Sequence, residues 1–145
     1  MDNSITQRNS LNGGHSDIAE LFQEIYGNDY IRVVDKKRMS FYQWDEQKKL
    51  WNLEPMCTLM RIIKEKIMPV FKKLGQELFI QLSDCSENGE EAMINVRIKQ
   101  TQKVIGDIKS TPYISNIIKY YSSFAIDKDF VTLLNRKKNE LPIIG

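Results

Sequence analysis

Apolar residues recur along this chain with two different periods, and the change between them falls near Pro55. Before it, Ile31 and Val33 alternate with Arg32 and Val34, and Phe41 opposes Tyr42 and Trp44 with period two. Period two places successive side chains on opposite faces of a strand. The pattern predicts short strands at Tyr30–Asp35, Ser40–Asp45 and Leu50–Leu53. Asp35, Lys36, Lys37 and Arg38 join the first pair as a turn. The run from Asp45 to Lys49 joins the second, with the Asp45 carboxylate able to fold onto the backbone as an Asx-turn. Three such strands are stable when they back onto helices, where a lone hairpin is not.

The other segments have helical period. Ile18, Leu21, Phe22 and Ile25 form one apolar face, with Ser16 or Asp17 to cap it and Asp17 and Glu20 at capping-box spacing. Gly27 is the expected left-handed stop. After Pro55, Met56, Leu59, Met60, Ile63, Ile67 and Phe71 mark a long helix. Pro69 removes an amide donor, so a kink or a fresh start is expected there. The continuation carries Val70, Leu74, Leu78 and Leu82. A loop over residues 83–89 leads to a helix at Glu90–Lys109, buried through Ile94, Ile98, Thr101, Ile105 and Ile108 and weakened near its end by Gly106. Thr111 and Pro112 open another helix, with Thr111 as N-cap. Its buried face is Ile114, Ile117, Ile118 and Tyr121. Phe130, Leu133 and Leu134 suggest a last short helix, and the tail from Leu141 to Gly145 reads as extended. The expected fold is α+β and mainly helical, with a small three-stranded antiparallel meander packed on a helical bundle.

Composition narrows the picture modestly. A chain of 145 residues fits one domain and one core. Residues 1–15 are polar, contain Gly13-Gly14 and lack the apolar stretch of a signal peptide, so they read as a disordered leader or linker before a domain at 16–145. No run of 18 apolar residues occurs, which argues against a membrane partner. Two cysteines, Cys57 and Cys85, make no disulfide framework and suit a reducing, intracellular compartment.

Candidate chemistry is sparse. The single histidine, His15, sits in the expected leader and reads as a solvated residue rather than a positioned base. Cys57 and Cys85 lack the paired spacing of a zinc site. No GxxxxGK[ST] phosphate loop is present, so no ATP hydrolysis, no cofactor and no metal are expected of this chain alone. Glu90 and Glu91 fall where a helix N-terminus favours negative charge, which explains them better than metal binding.

Charge is uneven although the net value is only +2. Residues 60–75 carry +4, residues 77–91 carry −5 and residues 97–109 carry +3. Two basic helices therefore flank an acidic connection. These are solvated outer faces, a phosphate-tracking groove, or surfaces for charge pairing between like subunits. Lys36, Lys37 and Arg38 at a turn tip can reach a nucleic-acid backbone or simply keep the turn soluble. Trp44 and Trp51 read as core aromatics, with base stacking as the alternative.

The order of these pieces resembles a known family. A leading helix in Asp17-Ile18-Ala19-Glu20-Leu21 precedes the aromatic meander of Phe41-Tyr42-Gln43-Trp44-Asp45 and Leu50-Trp51. Long helices follow, then Ile108-Lys109-Ser110-Thr111-Pro112-Tyr113-Ile114, and the close runs from Phe130-Val131-Thr132-Leu133-Leu134-Asn135 to Leu141-Pro142-Ile143-Ile144-Gly145. Over about residues 16–145 this is similar to the helicase-associated N-terminal domain of poxvirus-type primase-helicases. Relatives of that family occur in large nucleo-cytoplasmic DNA viruses, phages and mobile elements.

The resemblance implies a link between a primase and a superfamily-three AAA+ helicase, a collar that assists hexamer assembly, and a guide for DNA. It brings no catalytic residue, because the family's primase and ATPase motifs have no matching positions here. The expected function is a non-catalytic accessory domain in a host cytoplasm or viral replication site. Its expected partners are the adjoining primase and helicase domains, like subunits, and DNA held weakly and without sequence preference by Lys36, Lys37, Arg38, Lys99, Lys103 and Lys109. A pure oligomerisation or protein-interaction module is the alternative.

Overall fold

The computed structural model describes residues 13–34, 40–85, 88–127, 129–130, 132 and 143–144. Helix α1 spans His15–Phe22 and continues through a π-turn, Gln23–Gly27, into a last turn, α2, at Asn28–Tyr30. Strands β1 (Ile31–Arg32), β2 (Ser40–Asp45) and β3 (Leu50–Pro55) follow, then the long helices α3 (Met56–Asp84) and α4 (Asn88–Ile108), helix α5 (Thr111–Phe124) and strand β4 (Ile143–Ile144). The mainly helical α+β class and the antiparallel meander are as the periodicity predicts. One element is new: β4 pairs in parallel with β3, Ile143 beside Trp51, so the sheet order is β1-β2-β3-β4.

The register sorts the sheet into two faces. Ile31 pairs with Gln43 and Arg32 with Tyr42 across β1 and β2. Tyr42 pairs with Leu53 and Trp44 with Trp51 across β2 and β3. Alternation then puts Ile31, Phe41 and Gln43 on the inner face. Ile31 and Phe41 are buried with the helices, and the Gln43 amide donates to the Tyr26 hydroxyl at 2.9 Å. Arg32, Tyr42, Trp44, Trp51 and Leu53 share the outer face. The β2–β3 turn is held as expected: the Asp45 carboxylate accepts from the amides of Gln47 and Lys48 at 3.0 Å each. Beyond β1, Val33 bridges to Ile126, and the Asp127 amide donates to the Val33 carbonyl at 2.9 Å. That strip shields an edge that would otherwise be open to pairing.

The main core joins α1, the sheet, the first half of α3, the end of α4 and α5. Ile18, Leu21, Phe22, Phe41, Leu59, Ile63, Ile67, Phe71, Ile108, Ile114, Ile117 and Tyr121 are the largest of its fully covered members. A second, smaller cluster of Leu78, Ile94 and Ile98 lies between the distal half of α3 and the first half of α4, with Leu74, Leu82 and Cys85 against it.

Several local expectations need correction. Gly27 does not stop a helix: it lies inside the π-turn, buried, with helical φ. Its role is space, because a Cβ there would meet the Tyr121 hydroxyl and lie 3.1 Å from that ring's Cζ. Pro69 does not break α3, which runs through it. Glu65, whose carbonyl loses its donor, and Pro69 are both exposed, so water surrounds the missing bond. The leading helix starts at His15, capped by Gly14 without a side-chain bond, rather than at Ser16 or Asp17. The Gly13 carbonyl accepts from the Tyr113 hydroxyl at 2.7 Å, and His15 opens α1. Tyr30 closes a helix, and β1 is shorter than the Tyr30–Asp35 run. Ser110, not Thr111, is the N-cap of α5. The readings for residues 1–12, Leu133 and Leu134 lie outside the described residues.

Candidate nucleic-acid interface

Helix α4 supplies the clearest of the expected cationic positions. Ile94, Ile98, Thr101 and Ile108 are buried on one side. Lys99 and Lys103 are exposed and stand four residues apart, so they neighbour each other on the opposite side. Lys109 is also exposed, but it sits in the turn after the helix, six residues and about 1.7 turns beyond Lys103, and leaves that row. The structure thus brings Lys99 and Lys103 together and separates Lys109 from them. Lys36, Lys37 and Arg38 lie outside the described residues.

The ion pairs among the described residues are Arg32–Asp127 at 3.5 Å, Lys49–Glu46 at 2.6 Å and Arg61–Glu65 at 2.8 Å. None of them involves Lys99, Lys103 or Lys109, nor the exposed Lys72 and Lys73 of α3. Those ammonium groups keep their charge for an external anion.

The aromatic outer face of the sheet is a second feature, and it was only half legible. Trp44 and Trp51 are half-buried, outside the main core, and meet edge-on at 5.3 Å between centroids. Phe130 packs on Trp51 at 5.1 Å and on Tyr42 at 5.3 Å. The Arg32 guanidinium reaches over Trp51 at 5.2 Å, while donating to the carbonyls of Asn28 and Ile31. The Trp44 indole donates to Glu46, whose carboxyl is held below its usual range by Lys49 first and by this indole second. The two tryptophans are therefore neither core residues nor free stacking platforms. Each is committed to neighbours, and the carboxylates of Glu46 and Asp127 beside them disfavour a polyanion. The sequence clue was Arg32 itself, a cation at an outward position between Ile31 and Val33.

His15 also finds a place the sequence did not suggest. Its ring lies 4.8 Å from Tyr113 and stacks on Tyr120 at 6.2 Å. Burial, then the charges of Asp107 and Asp17, push the Tyr113 hydroxyl up from 10 to about 12. Burial pushes Tyr121 up as well, against a smaller opposing effect of Arg32. A raised acid favours its neutral form in the fold. The unfolded chain then loses protons first as pH rises past 10, so stability is full below that value and falls through about 12 for Tyr113. Urea melts are expected to give a lower midpoint at about pH 11 than at about pH 9, with a smaller drop in Tyr113→Phe. An unchanged midpoint would contradict this placement of the two rings.

Among the described residues, no group of three or more His, Cys, Asp or Glu side chains could hold a metal ion. No helix among them is long and apolar enough to cross a membrane. A polar cleft of about 470 Å³ opens between Tyr26, Tyr30, Gln43, Asn52 and Lys66, where the sheet parts from the helices. The Lys66 ammonium lies over the Tyr26 ring at 4.5 Å, and Tyr30 stacks on that same ring, so the cleft's aromatic wall is already occupied. No protein-family model matches this chain, and no curated protein matches it.

Proposed function

We propose that this chain is a non-catalytic accessory domain of a viral replicative primase-helicase. In this reading it links the primase to a superfamily-three helicase, aids hexamer assembly and engages DNA without sequence preference. The observation that carries the DNA-binding part is the exposed pair Lys99 and Lys103 on the outer face of α4, free of any ion pair among the described residues. The ordered resemblance described above supplies the replicative context. Lysines on a rigid helix face neutralise phosphates and read no base, which yields affinity without specificity.

The test is a titration of the full chain against labelled single- and double-stranded oligonucleotides at several salt concentrations. Affinity no tighter than about micromolar is expected, with log K falling by roughly 0.9 per phosphate contact for each decade of salt on duplex DNA. Lys99→Glu with Lys103→Glu is expected to weaken binding equally across sequences and to flatten the slope by about two contacts. Reversal of Lys36, Lys37 and Arg38 tests the turn tip in the same way. If the wild-type chain shows no binding even at low salt, the DNA-guide reading fails and the protein-interaction module takes its place.

A further inference from the structure

The aromatic outer face of the sheet already holds a ring from elsewhere in the chain. Phe130 is 5% exposed, yet it belongs to neither hydrophobic cluster. Its aromatic neighbours among the described residues are Trp51, met edge-on at 5.1 Å, and Tyr42, tilted at 5.3 Å. The register explains why one ring reaches both. Tyr42 stands opposite Leu53, so Trp51, two residues before Leu53, is its diagonal neighbour on the same face. Phe130 lies across that diagonal.

A fixed cation stands beside it. Arg32 pairs with Tyr42 across β1 and β2, and its guanidinium lies over Trp51 at 5.2 Å. Nη1 donates to the carbonyls of Asn28 and Ile31 at 2.7 and 2.8 Å, which holds the group in place. Nε faces Oδ2 of Asp127 at 3.5 Å. The other oxygen of Asp127 accepts from the Phe130 amide at 3.1 Å. Two side chains three residues apart thus set a carboxylate against the arginine and a ring against Trp51. A nucleotide with an unpaired base presents the same two groups: phosphate oxygens for a guanidinium and a flat ring for an aromatic surface.

The hold on these two side chains is light. The ion pair is long, and its side chains are 27% and 40% exposed, so water and salt weaken it. The backbone anchor lies earlier, in the Val33–Ile126 bridge and the Asp127 amide on the Val33 carbonyl. Ile126 also packs against the main core. The Phe130 ring can leave while that anchor keeps the β1 edge covered. Departure of the Asp127 carboxylate removes one of the two acids that keep a polyanion off this face, and Lys49 already pairs with the other, Glu46, at 2.6 Å.

We propose that Arg32, Tyr42 and Trp51 form a site for one nucleotide of single-stranded DNA, and that Asp127 and Phe130 occupy it in the free chain in place of the phosphate and the base. The site rests on the DNA reading above and adds a strand preference to it. Lys99 and Lys103 attract either strand form by charge, whereas this face takes a base that is not already paired and stacked in a duplex. An incoming base has to displace Phe130, so apparent affinity is lowered by the fraction of chains in which the site is filled.

Fluorescence anisotropy of labelled single-stranded and duplex oligonucleotides of equal length tests it, with the full chain as wild type, Phe130→Ala and Asp127→Asn. Phe130→Ala is expected to tighten single-strand binding about tenfold, within the range that one stacked base contributes. Asp127→Asn keeps the side chain's size and its acceptor for the Phe130 amide, so it tests the site without opening a cavity. It is expected to give a smaller gain, about threefold, as the loss of a partly exposed ion pair allows. Both gains are expected on the single strand and not on the duplex, and adding Trp51→Ala to Phe130→Ala is expected to abolish the larger one. If the wild type binds but neither variant gains on the single strand, or if the duplex gains equally, the nucleotide site falls and the DNA reading stands. If the wild type binds neither oligonucleotide while the variants bind the single strand, the site stands and the lysine face is not the contact. If no chain binds either oligonucleotide, both fall.

Discussion

Phe22→Ala is expected to lower the unfolding free energy by about 3–5 kcal/mol, the usual cost of removing a fully buried ring. Phe22 is completely covered. It sits where α1 crosses α5, its ring edge-on to Tyr121 at 5.1 Å and 6.0 Å from Tyr26. The cavity left by alanine would be walled by those rings. None of these can collapse into it without tilting a helix, so little of the lost contact is regained. Denaturant melts of the variant measure the effect. A loss below about 1 kcal/mol would mean that the site is exposed or readily refilled.

The next largest expected effect comes from a single methyl group. Gly27→Ala should gain up to about 1 kcal/mol from helix propensity alone. It is instead expected to destabilise the fold by about 1–3 kcal/mol, as overpacking does. The added Cβ would meet the Tyr121 hydroxyl and would also press on Cζ at 3.1 Å and Cε1 at 3.2 Å. Tyr121 cannot swing aside, because it is 1% exposed and held edge-on by Phe22 and Phe124. Tyr121→Phe removes the nearest atom, a buried hydroxyl, and is expected to rescue most of the loss in the double variant. A double-mutant cycle in which the two changes add without coupling would refute this account of the glycine.

Much of the fold was legible because its signals are local. The β2–β3 hairpin follows from the alternation of Phe41, Tyr42, Gln43 and Trp44 and from an aspartate placed to make an Asx-turn. The long helices follow from apolar residues at helical spacing. What could not be read depends on partners distant in sequence. Gly27 looks like a stop signal until Tyr121, 94 positions away, is placed against it. His15 looks solvated until α5 brings Tyr113 and Tyr120 beneath it. The parallel pairing of Ile143 with Trp51 joins segments with no mutual pattern. At the candidate site, Lys99 and Lys103 were readable from their four-residue spacing. The departure of Lys109 was not, since it needs the helix to end at Ile108.

Pro69 has a consequence for how the molecule opens. It stands in α3 between Ile67 and Phe71, both of which pack in the main core, and the small distal cluster begins only beyond Leu74. One rung of the helix ladder is absent there, and the hairpin of α3 and α4 farther on is sealed by a cluster of three buried side chains. Cooperative units of a protein need not share one unfolding free energy, and those with few buried contacts open first. The missing rung therefore falls where the core holds α3 on both sides, and it is the hairpin beyond Leu74, with fewer buried contacts, that opens more readily than the sheet and α1. A segment of that kind gives up few buried contacts when it opens, so its motion costs the rest of the fold little.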